Sequence, residues 1–207
     1  MKSFFKKAIR NNKGFTLVEL LVTIVIFVIL TGIVLFNQNS FNNGIVLKNL
    51  AYDIALNIKQ IQTYGIAVKE SQTVSNFSSY GIYFDLANNK NFILFADTGG
   101  NPDGSPDGKF NGSSNCPVGD PECIQRYSIS RGSYINKICI GLDPTCPTQT
   151  QKLTILFRRP NPDAIMNYFD SFGTPATSTL TRIIISSAGN STTSVIVTNS
   201  GQIYVSN

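Results

Sequence analysis

Hydrophobic residues are concentrated first in one long run near the start of the chain. Residues 15–36 are apolar apart from Glu19 and a few hydroxyl or glycine positions. At about 1.5 Å per residue, a helix of this length spans about 33 Å, enough to cross a hydrocarbon core of about 30 Å. The pattern therefore predicts a helix that is apolar on every face, as a membrane-spanning segment must be.

A second helical pattern follows this run. Within residues 37–70, apolar side chains recur at steps of three and four, and charged or amide side chains fall between them. The apolar stripe consists of Leu47, Leu50, Ile54, Ile58, Ile61, Gly65 and Val68. These residues predict a half-buried continuation of the same helix. Because Asn37–Gly44 is poor in helix formers, and glycine costs about 1 kcal/mol relative to alanine, we expect a kink or a locally unwound stretch there.

Over residues 71–207 the hydrophobic period changes to two, which is typical of strands. Ser79–Asp85 and Asn91–Ala96 are predicted to form one hairpin, and Ser194–Thr198 and Gln202–Val205 a second one. Further strand candidates are Arg126–Ser130, Tyr134–Ile140, Lys152–Arg158 and Thr181–Ser186. This order predicts an α+β fold, a lollipop in which a long N-terminal helix precedes a largely antiparallel, β-rich globular domain.

The charge of the chain is located at its start. The 207 residues carry 17 basic and 12 acidic side chains, a net charge of +5. Five of the basic residues precede Phe15, where no acidic residue occurs: Lys2, Lys6, Lys7, Arg10 and Lys13. By the positive-inside rule, we expect a single-pass membrane protein with residues 1–14 in the cytoplasm and the β-rich domain outside it.

The cysteines form two C-x6-C units, Cys116–Cys123 and Cys139–Cys146, each with Asp-Pro before its second cysteine. In an extracytoplasmic domain an even number of cysteines indicates disulfides. Three connectivities are open, and we favour the two local pairs because each Asp-Pro bends the chain between its cysteines. A zinc site is the alternative, but the spacing is longer than in zinc motifs and the chain has no histidine.

Glu19 is the single charge in the apolar run. A carboxylate at the centre of a membrane helix costs about 2.5–3.5 kcal/mol, so such a residue is treated as functional and needs a partner. A cut between Gly14 and Phe15 would create one, a positive N-terminus. An ordinary secretory signal has about 7–15 apolar residues and a small-x-small cleavage site, which this chain lacks. A plain single-span anchor explains the length of the run but not Gly14, Phe15 and Glu19 together.

The basic segment, the sequence Gly-Phe-Thr-Leu-Val-Glu at residues 14–19, and the aliphatic helix that follows resemble the class III signal of type IV pilins and pseudopilins. The resemblance implies that a prepilin peptidase cleaves after Gly14 and methylates the new amine of Phe15. It also implies that Glu19 pairs with that amine, of its own chain or of a neighbouring subunit, and so sets the register of assembly.

The rest of the chain resembles the GspH/FimT group of minor pseudopilins. The similarity rests on Tyr-Gly-Ile-Tyr-Phe at residues 80–84, Phe-Ile-Leu-Phe-Ala-Asp at residues 92–97, Ile155–Pro160 and the closing Val-Ile-Val-Thr-Asn-Ser-Gly-Gln-Ile at residues 195–203. It covers most of residues 45–207 by pattern.

A glycine-rich acidic stretch is the one candidate metal site. Its oxygen ligands for calcium would be Asp97, Asn101, Asp103 and Asp107. The spacing does not fit the EF-hand template, and a solvated loop of turn-forming residues explains the same composition. Calcium is the only cofactor that the sequence raises.

Arg158, Arg159 and Arg182 are candidates for a DNA-binding face, because some minor pilins related to FimT bind DNA through C-terminal arginines. Nucleic-acid binding needs a clustered basic field, which three arginines in a neutral domain indicate only weakly. No catalytic constellation stands out: Ser-His-Asp and Cys-His catalysis both require a histidine, which the chain lacks, and nothing in the sequence points to the remaining alternative, a catalytic pair of carboxylates.

These observations predict a structural subunit rather than an enzyme: a minor pilin or pseudopilin of a type IV pilus or a type II secretion filament. Its expected partners are other pilin subunits, the prepilin peptidase and the inner membrane. Two other classes remain open. One is a binding module, either a DNA receptor for uptake or an adhesin that uses residues 97–125. The other is an anchored extracytoplasmic domain that never polymerises.

Overall fold

The computed structural model describes residues 14–67, 79–101, 105–141, 143, 145–169 and 173–206, with backbone only for residues 36–43. In this part of the chain one α-helix, α1 (Leu17–Ile66), precedes all of the strands. The strands are β1 (Ser79–Asp85), β2 (Asn91–Asp97), β3 (Cys123–Ser128), β4 (Tyr134–Ile140), β5 (Lys152–Phe157), β6 (Ala164–Phe169), β7 (Pro175–Ser178), β8 (Leu180–Ser186), β9 (Thr192–Thr198) and β10 (Ile203–Ser206). A short 3-10 turn, Leu86–Asn88, links β1 to β2.

The chain divides into two compact units between Phe41 and Asn42. In the first unit, Leu17–Leu35 is long and apolar enough to cross a membrane, with a mean hydropathy of 2.9, and none of it is buried within the chain. We expected a kink or a locally unwound stretch at Asn37–Gly44, and local unwinding is not found, because the backbone is helical throughout these residues. Asparagine in a helix is less favourable than alanine by only tenths of a kcal/mol. Once a helix exists, each residue added to it forms one more backbone hydrogen bond, which favours continuing the helix through these residues.

The second unit contains two antiparallel sheets. One has six strands in the order β3-β2-β1-β5-β6-β7, and the other has four in the order β10-β9-β8-β4. The predicted α+β fold is therefore confirmed, as are the two predicted hairpins. Strands β6 and β7 were not predicted from the sequence. Strand β7 begins at Pro175 and lies at a sheet edge, the position where a strand tolerates proline.

The apolar stripe of α1 forms the centre of the second unit's core. Leu47, Ala51, Ile54, Ile58 and Ile61 are buried against the inward faces of both sheets. The predicted stripe is correct for four of these five positions, and the structure adds Ala51. Leu50 of the stripe is partly buried against this core, and Val68 lies outside the described residues. Apolar burial of this kind contributes about 1.5–3 kcal/mol for each large side chain.

Two residues near the end of α1 bring the helix close to the sheets. A Cβ atom on Gly65 would lie 2.5 Å from the carbonyl oxygen of Phe157, so glycine is what allows this approach. The buried Gln62 amide donates hydrogen bonds to the carbonyl oxygens of Pro162, at 2.9 Å, and Gly201, at 3.1 Å. Gln62 thereby joins α1 to the β5–β6 connection and to the β9–β10 turn.

A smaller apolar cluster lies on the opposite face of the six-stranded sheet. Ile93 and Phe95 alternate along β2 with residues of the main core, and with Leu156 they form the centre of this cluster. The segment between β2 and β3 packs over them through Phe110 and the Cys116–Cys123 pair. We call this side of the sheet the outer face.

Candidate functional site

The start of α1 has a defined N-terminal cap. Residues 14–16 are not helical, and the helix begins at Leu17. The Thr16 hydroxyl accepts a hydrogen bond from the backbone N–H of Glu19, at 3.2 Å, and the Thr16 carbonyl accepts one from the N–H of Leu20, at 3.1 Å. Thr16 is thus the N-cap residue, and Thr-Leu-Val-Glu fits the S/T-x-x-E pattern of a capping box. This cap was not predicted from the sequence, although the S/T-x-x-E pattern at residues 16–19 is its signal.

The residues of the predicted cleavage site surround this cap. Gly14, Phe15 and Glu19 are all exposed, and Phe15 has 80% of its surface free. The bond between Gly14 and Phe15 therefore lies in accessible, non-helical backbone two residues before the helix. Glu19 lies in the first helical turn, where the positive end of the helix dipole favours a carboxylate. The arrangement combines a peptide bond open to a protease with a carboxylate one turn away.

The four cysteines form the two local disulfides that the sequence favoured. Cys116 pairs with Cys123 at a Cα–Cα distance of 5.5 Å, and Cys139 pairs with Cys146 at 5.2 Å. The described residues contain no free cysteine.

The aspartates of the two Asp-Pro sequences shape both disulfide loops. The Asp120 carboxylate accepts hydrogen bonds from the backbone N–H groups of Ser113 and Cys123. Asp143 accepts from the N–H and the hydroxyl of Thr145, which lowers the pKa of its carboxyl group. Each aspartate thus holds the turn that brings its two cysteines together.

The residues of the predicted calcium site serve other purposes in the structure. Asp97 accepts hydrogen bonds from the backbone N–H groups of Asp107, at 3.2 Å, and Gly108, at 2.9 Å. The Asn101 amide donates to the carbonyl oxygen of Pro106 at 2.8 Å, and Asp103 lies outside the described residues. No group of three or more acidic, cysteine or histidine side chains in the described part is arranged to hold a metal ion. These contacts make a folded loop, and no calcium site is proposed.

Two carboxylates of this loop are unusually buried. Burial raises the pKa of Asp97 to about 6, against the hydrogen bonds from Gly108 and Asp107, which lower it. Burial also raises the pKa of Glu122, whose carboxylate accepts a hydrogen bond from the N–H of Asn111 at 2.7 Å. Both carboxylates hold backbone N–H groups of the segment between β2 and β3, so their ionisation is linked to the stability of that segment.

The three arginines of the predicted DNA-binding face lie on different elements. Arg158 and Arg159 follow β5 of the six-stranded sheet, whereas Arg182 lies in β8 of the four-stranded sheet. The charge of Arg182 helps to lower the pKa of Asp143. Burial raises the pKa of Tyr80, and the charge of Arg159 partly opposes this increase. The three arginines therefore do not lie on one strand or in one loop.

Comparison with known proteins bears on the N-terminal site. Residues 9–35 match the family described as the prokaryotic N-terminal methylation motif. No curated protein and no solved structure matches the chain. The matched segment contains the accessible Gly14–Phe15 bond, the Thr16 cap and most of the exposed apolar helix. It supports the class of type IV pilin-like proteins that are processed as prepilins. Such a motif implies processing by a prepilin peptidase and assembly with other pilin subunits.

Proposed function

We propose that this chain is a minor pilin or pseudopilin, a structural subunit of a type IV pilus or of a type II secretion filament. Prepilin peptidase cleaves it after Gly14 and methylates the amine of Phe15. The N-terminus lies in the cytoplasm before cleavage, and the unit after Phe41 is extracytoplasmic. In the mature filament the apolar half of α1 packs against the same segment of neighbouring subunits.

The observation that carries the proposal is the joint occurrence of the methylation motif and an apolar helix without cover. None of the side chains of Leu17–Leu35 is buried within the chain, although the segment is strongly hydrophobic. Exposed apolar surface of this extent requires a lipid or protein environment, because each large side chain gains about 1.5–3 kcal/mol on burial. A filament assembled from the membrane supplies both environments in succession.

The chemistry at the N-terminus would give Glu19 a partner of opposite charge. Hydrolysis of the Gly14–Phe15 bond leaves a carboxylate on Gly14 and an amine on Phe15. Protonated, this amine is the cation that Glu19 needs in an apolar environment. A carboxylate in such an environment without a partner would be strongly destabilising. The pairing of Glu19 with the Phe15 amine of the same or a neighbouring subunit would fix the axial register of α1 in the filament.

The similarity to the GspH/FimT group supports a minor rather than a major subunit. The segments that carry the similarity form β1, β2, β5 and the β9–β10 hairpin, which belong to both sheets of the second unit. We assign the chain to that group as part of the proposal.

Intact mass and N-terminal sequencing test the proposal directly. The full-length protein is co-expressed with an active prepilin peptidase, purified from membranes, and compared with protein made in cells that lack the peptidase. We expect a chain that begins at Phe15 and carries one added methyl group only when the peptidase is present. A chain that still begins at Met1 in both kinds of cell would contradict the proposal and would indicate a membrane-anchored domain that is not processed as a prepilin.

A further inference from the structure

The outer face of the six-stranded sheet contains a cavity of about 230 Å³ beside Phe110. We call it the outer-face pocket. Its floor is a row of three side chains on adjacent strands, since Tyr83 of β1 lies opposite Thr154 of β5, and Thr154 lies opposite Asn167 of β6. Directly opposed residues share a face of the sheet, so these three side chains form one continuous surface.

Thr154 and Asn167 of the floor each leave a polar atom available to a ligand, whereas the Tyr83 hydroxyl donates a hydrogen bond to the Asp85 carboxylate at 3.2 Å. Thr154 is only 6% exposed and lines the pocket, and its hydroxyl forms no hydrogen bond within the described part of the chain. A ligand oxygen that reaches into the pocket could therefore form a hydrogen bond with this hydroxyl. The Asn167 amide donates to the carbonyl oxygen of Gly108 at 2.8 Å, which fixes the side chain and leaves its own carbonyl oxygen as an acceptor.

The walls combine an aromatic ring with two cations. The Phe110 ring packs against Tyr83 and Phe95, with centroid distances of 5.2 and 5.3 Å, and is therefore held in place. Lys109 and Lys152 line the rim, and in the described residues neither ammonium group has a hydrogen bond or an ion pair. The pocket thus presents an apolar ring, neutral hydrogen-bonding groups and two lysine ammonium groups that have no ion-pair partner among the described residues, with Asp85 opposite Lys152 in the strand register.

The volume and this set of groups define the ligand. Sites for drug-sized molecules occupy about 300–1,000 Å³, so a smaller cavity accommodates about one ring. The cations require an anionic group, the hydroxyl and amide oxygen require hydroxyl partners, and the aromatic wall requires an apolar ring face. A uronic acid carries all three on a single six-membered ring. We propose that the outer-face pocket binds one acidic monosaccharide unit, a uronate, alone or within an acidic polysaccharide.

The proposal is tested by calorimetric titration of the full-length protein in detergent micelles. The probes are glucuronate, glucose as the neutral ring, acetate as the charge alone, and a nucleoside monophosphate. We expect glucuronate to bind at least about tenfold more tightly than glucose or acetate, because only glucuronate uses both the cations and the floor. Equal binding of acetate, or tighter binding of the nucleotide, would overturn the assignment, as would the absence of glucuronate binding.

Two variants and one matched control locate the binding in this pocket. The double change Lys109→Ala and Lys152→Ala, and separately Thr154→Val, should each weaken glucuronate binding by about tenfold or more. Lys90→Ala with Lys137→Ala removes the same charge from exposed positions elsewhere and should leave binding unchanged. Equal losses in both lysine pairs would show binding by overall charge and contradict the proposal. Thermal unfolding of each variant shows whether a loss reflects damage to the fold.

Discussion

The Thr16 hydroxyl lies 3.2 Å from the backbone nitrogen of Glu19 and accepts its hydrogen bond. This contact sets the first turn of α1 and places the Glu19 carboxylate three residues after the cap. The residue that is proposed to neutralise the new N-terminus therefore sits in a turn whose geometry is fixed by a side chain next to the cleavage site.

Thr16→Val keeps the shape of the side chain but removes the hydrogen-bond acceptor. Loss of an N-cap costs about 1 kcal/mol, so the first turn should fray and Glu19 should lose its fixed position. We expect cleavage after Gly14 to persist, because the scissile bond lies outside the helix, and incorporation into filaments to fall. The measurement is the amount of the variant in sheared filaments relative to membranes.

Thr16→Ser is the matched control, because serine caps helices as well as threonine does, and it should behave like the unmodified protein. Full incorporation of Thr16→Val would contradict the positioning role. Loss of cleavage in Thr16→Val would instead place the effect of the cap at the peptidase step.

Glu19→Gln removes the charge and retains the size of the side chain. Membrane insertion and cleavage should be unaffected, whereas incorporation into filaments should fall severalfold or more, because the Phe15 amine loses its counter-ion in apolar surroundings. Quantitative blotting of membrane and filament fractions measures both. Asp53→Asn removes an exposed carboxylate from the same helix and should change neither fraction. If Glu19→Gln were incorporated as well as Asp53→Asn, the proposed role of the carboxylate would be wrong.

The sequence predicted most reliably the features that depend on near neighbours. The apolar run and the stripe from Leu47 to Ile61 each repeat a relationship between residues one helical turn apart, and the disulfide Cys116–Cys123 closes one short loop. Local unwinding at Asn37–Gly44 was expected, within a helix that was otherwise predicted to continue, because residue-by-residue propensities neglect the cooperativity of the two flanking segments.

The features that were not predicted depend on contacts between residues far apart in the chain or on strand register. The two hydrogen bonds that Asp97 accepts come from residues ten and eleven positions away. They use both oxygens of its carboxylate to hold the loop, although the composition of this stretch resembles that of a calcium-binding loop. The floor of the outer-face pocket depends on strand register, since Tyr83 and Thr154 are far apart in the chain. Neither relationship has a sequence pattern of its own. The Thr16 cap, by contrast, could have been predicted from the S/T-x-x-E pattern at residues 16–19.

The stability of the second unit should depend on pH through Asp97. Its pKa is about 6 in the folded state and 3.8 in the unfolded state, so between pH 4 and pH 6 the folded chain holds more protons. The free energy of unfolding should therefore fall as the pH rises through this range, by up to about 3 kcal/mol. The pKa of Glu122 is also raised by burial, so its ionisation should likewise lower the free energy of unfolding as the pH rises. Chemical denaturation of the full-length protein in micelles at several pH values measures the slope.

Asp97→Asn should reduce this slope, because the amide does not ionise between pH 4 and pH 6. Asp163→Asn changes an exposed carboxylate and should leave the slope as it is. A slope unchanged in Asp97→Asn would show that the pH dependence arises elsewhere.

Gly65→Ala and Gly44→Ala make the same substitution in the same helix and should have opposite effects. A Cβ at position 65 would lie 2.5 Å from the carbonyl oxygen of Phe157, so α1 would have to move from β5 and leave part of the core unfilled. We expect a loss of about 1–3 kcal/mol, the cost typical of an overpacked core. At position 44 nothing lies within 4 Å of the added atom, so the higher helix propensity of alanine should stabilise the protein by about 0.5–1 kcal/mol. Denaturation midpoints of both variants at constant detergent concentration compare the two, and stabilisation by Gly65→Ala would contradict the close contact between α1 and β5.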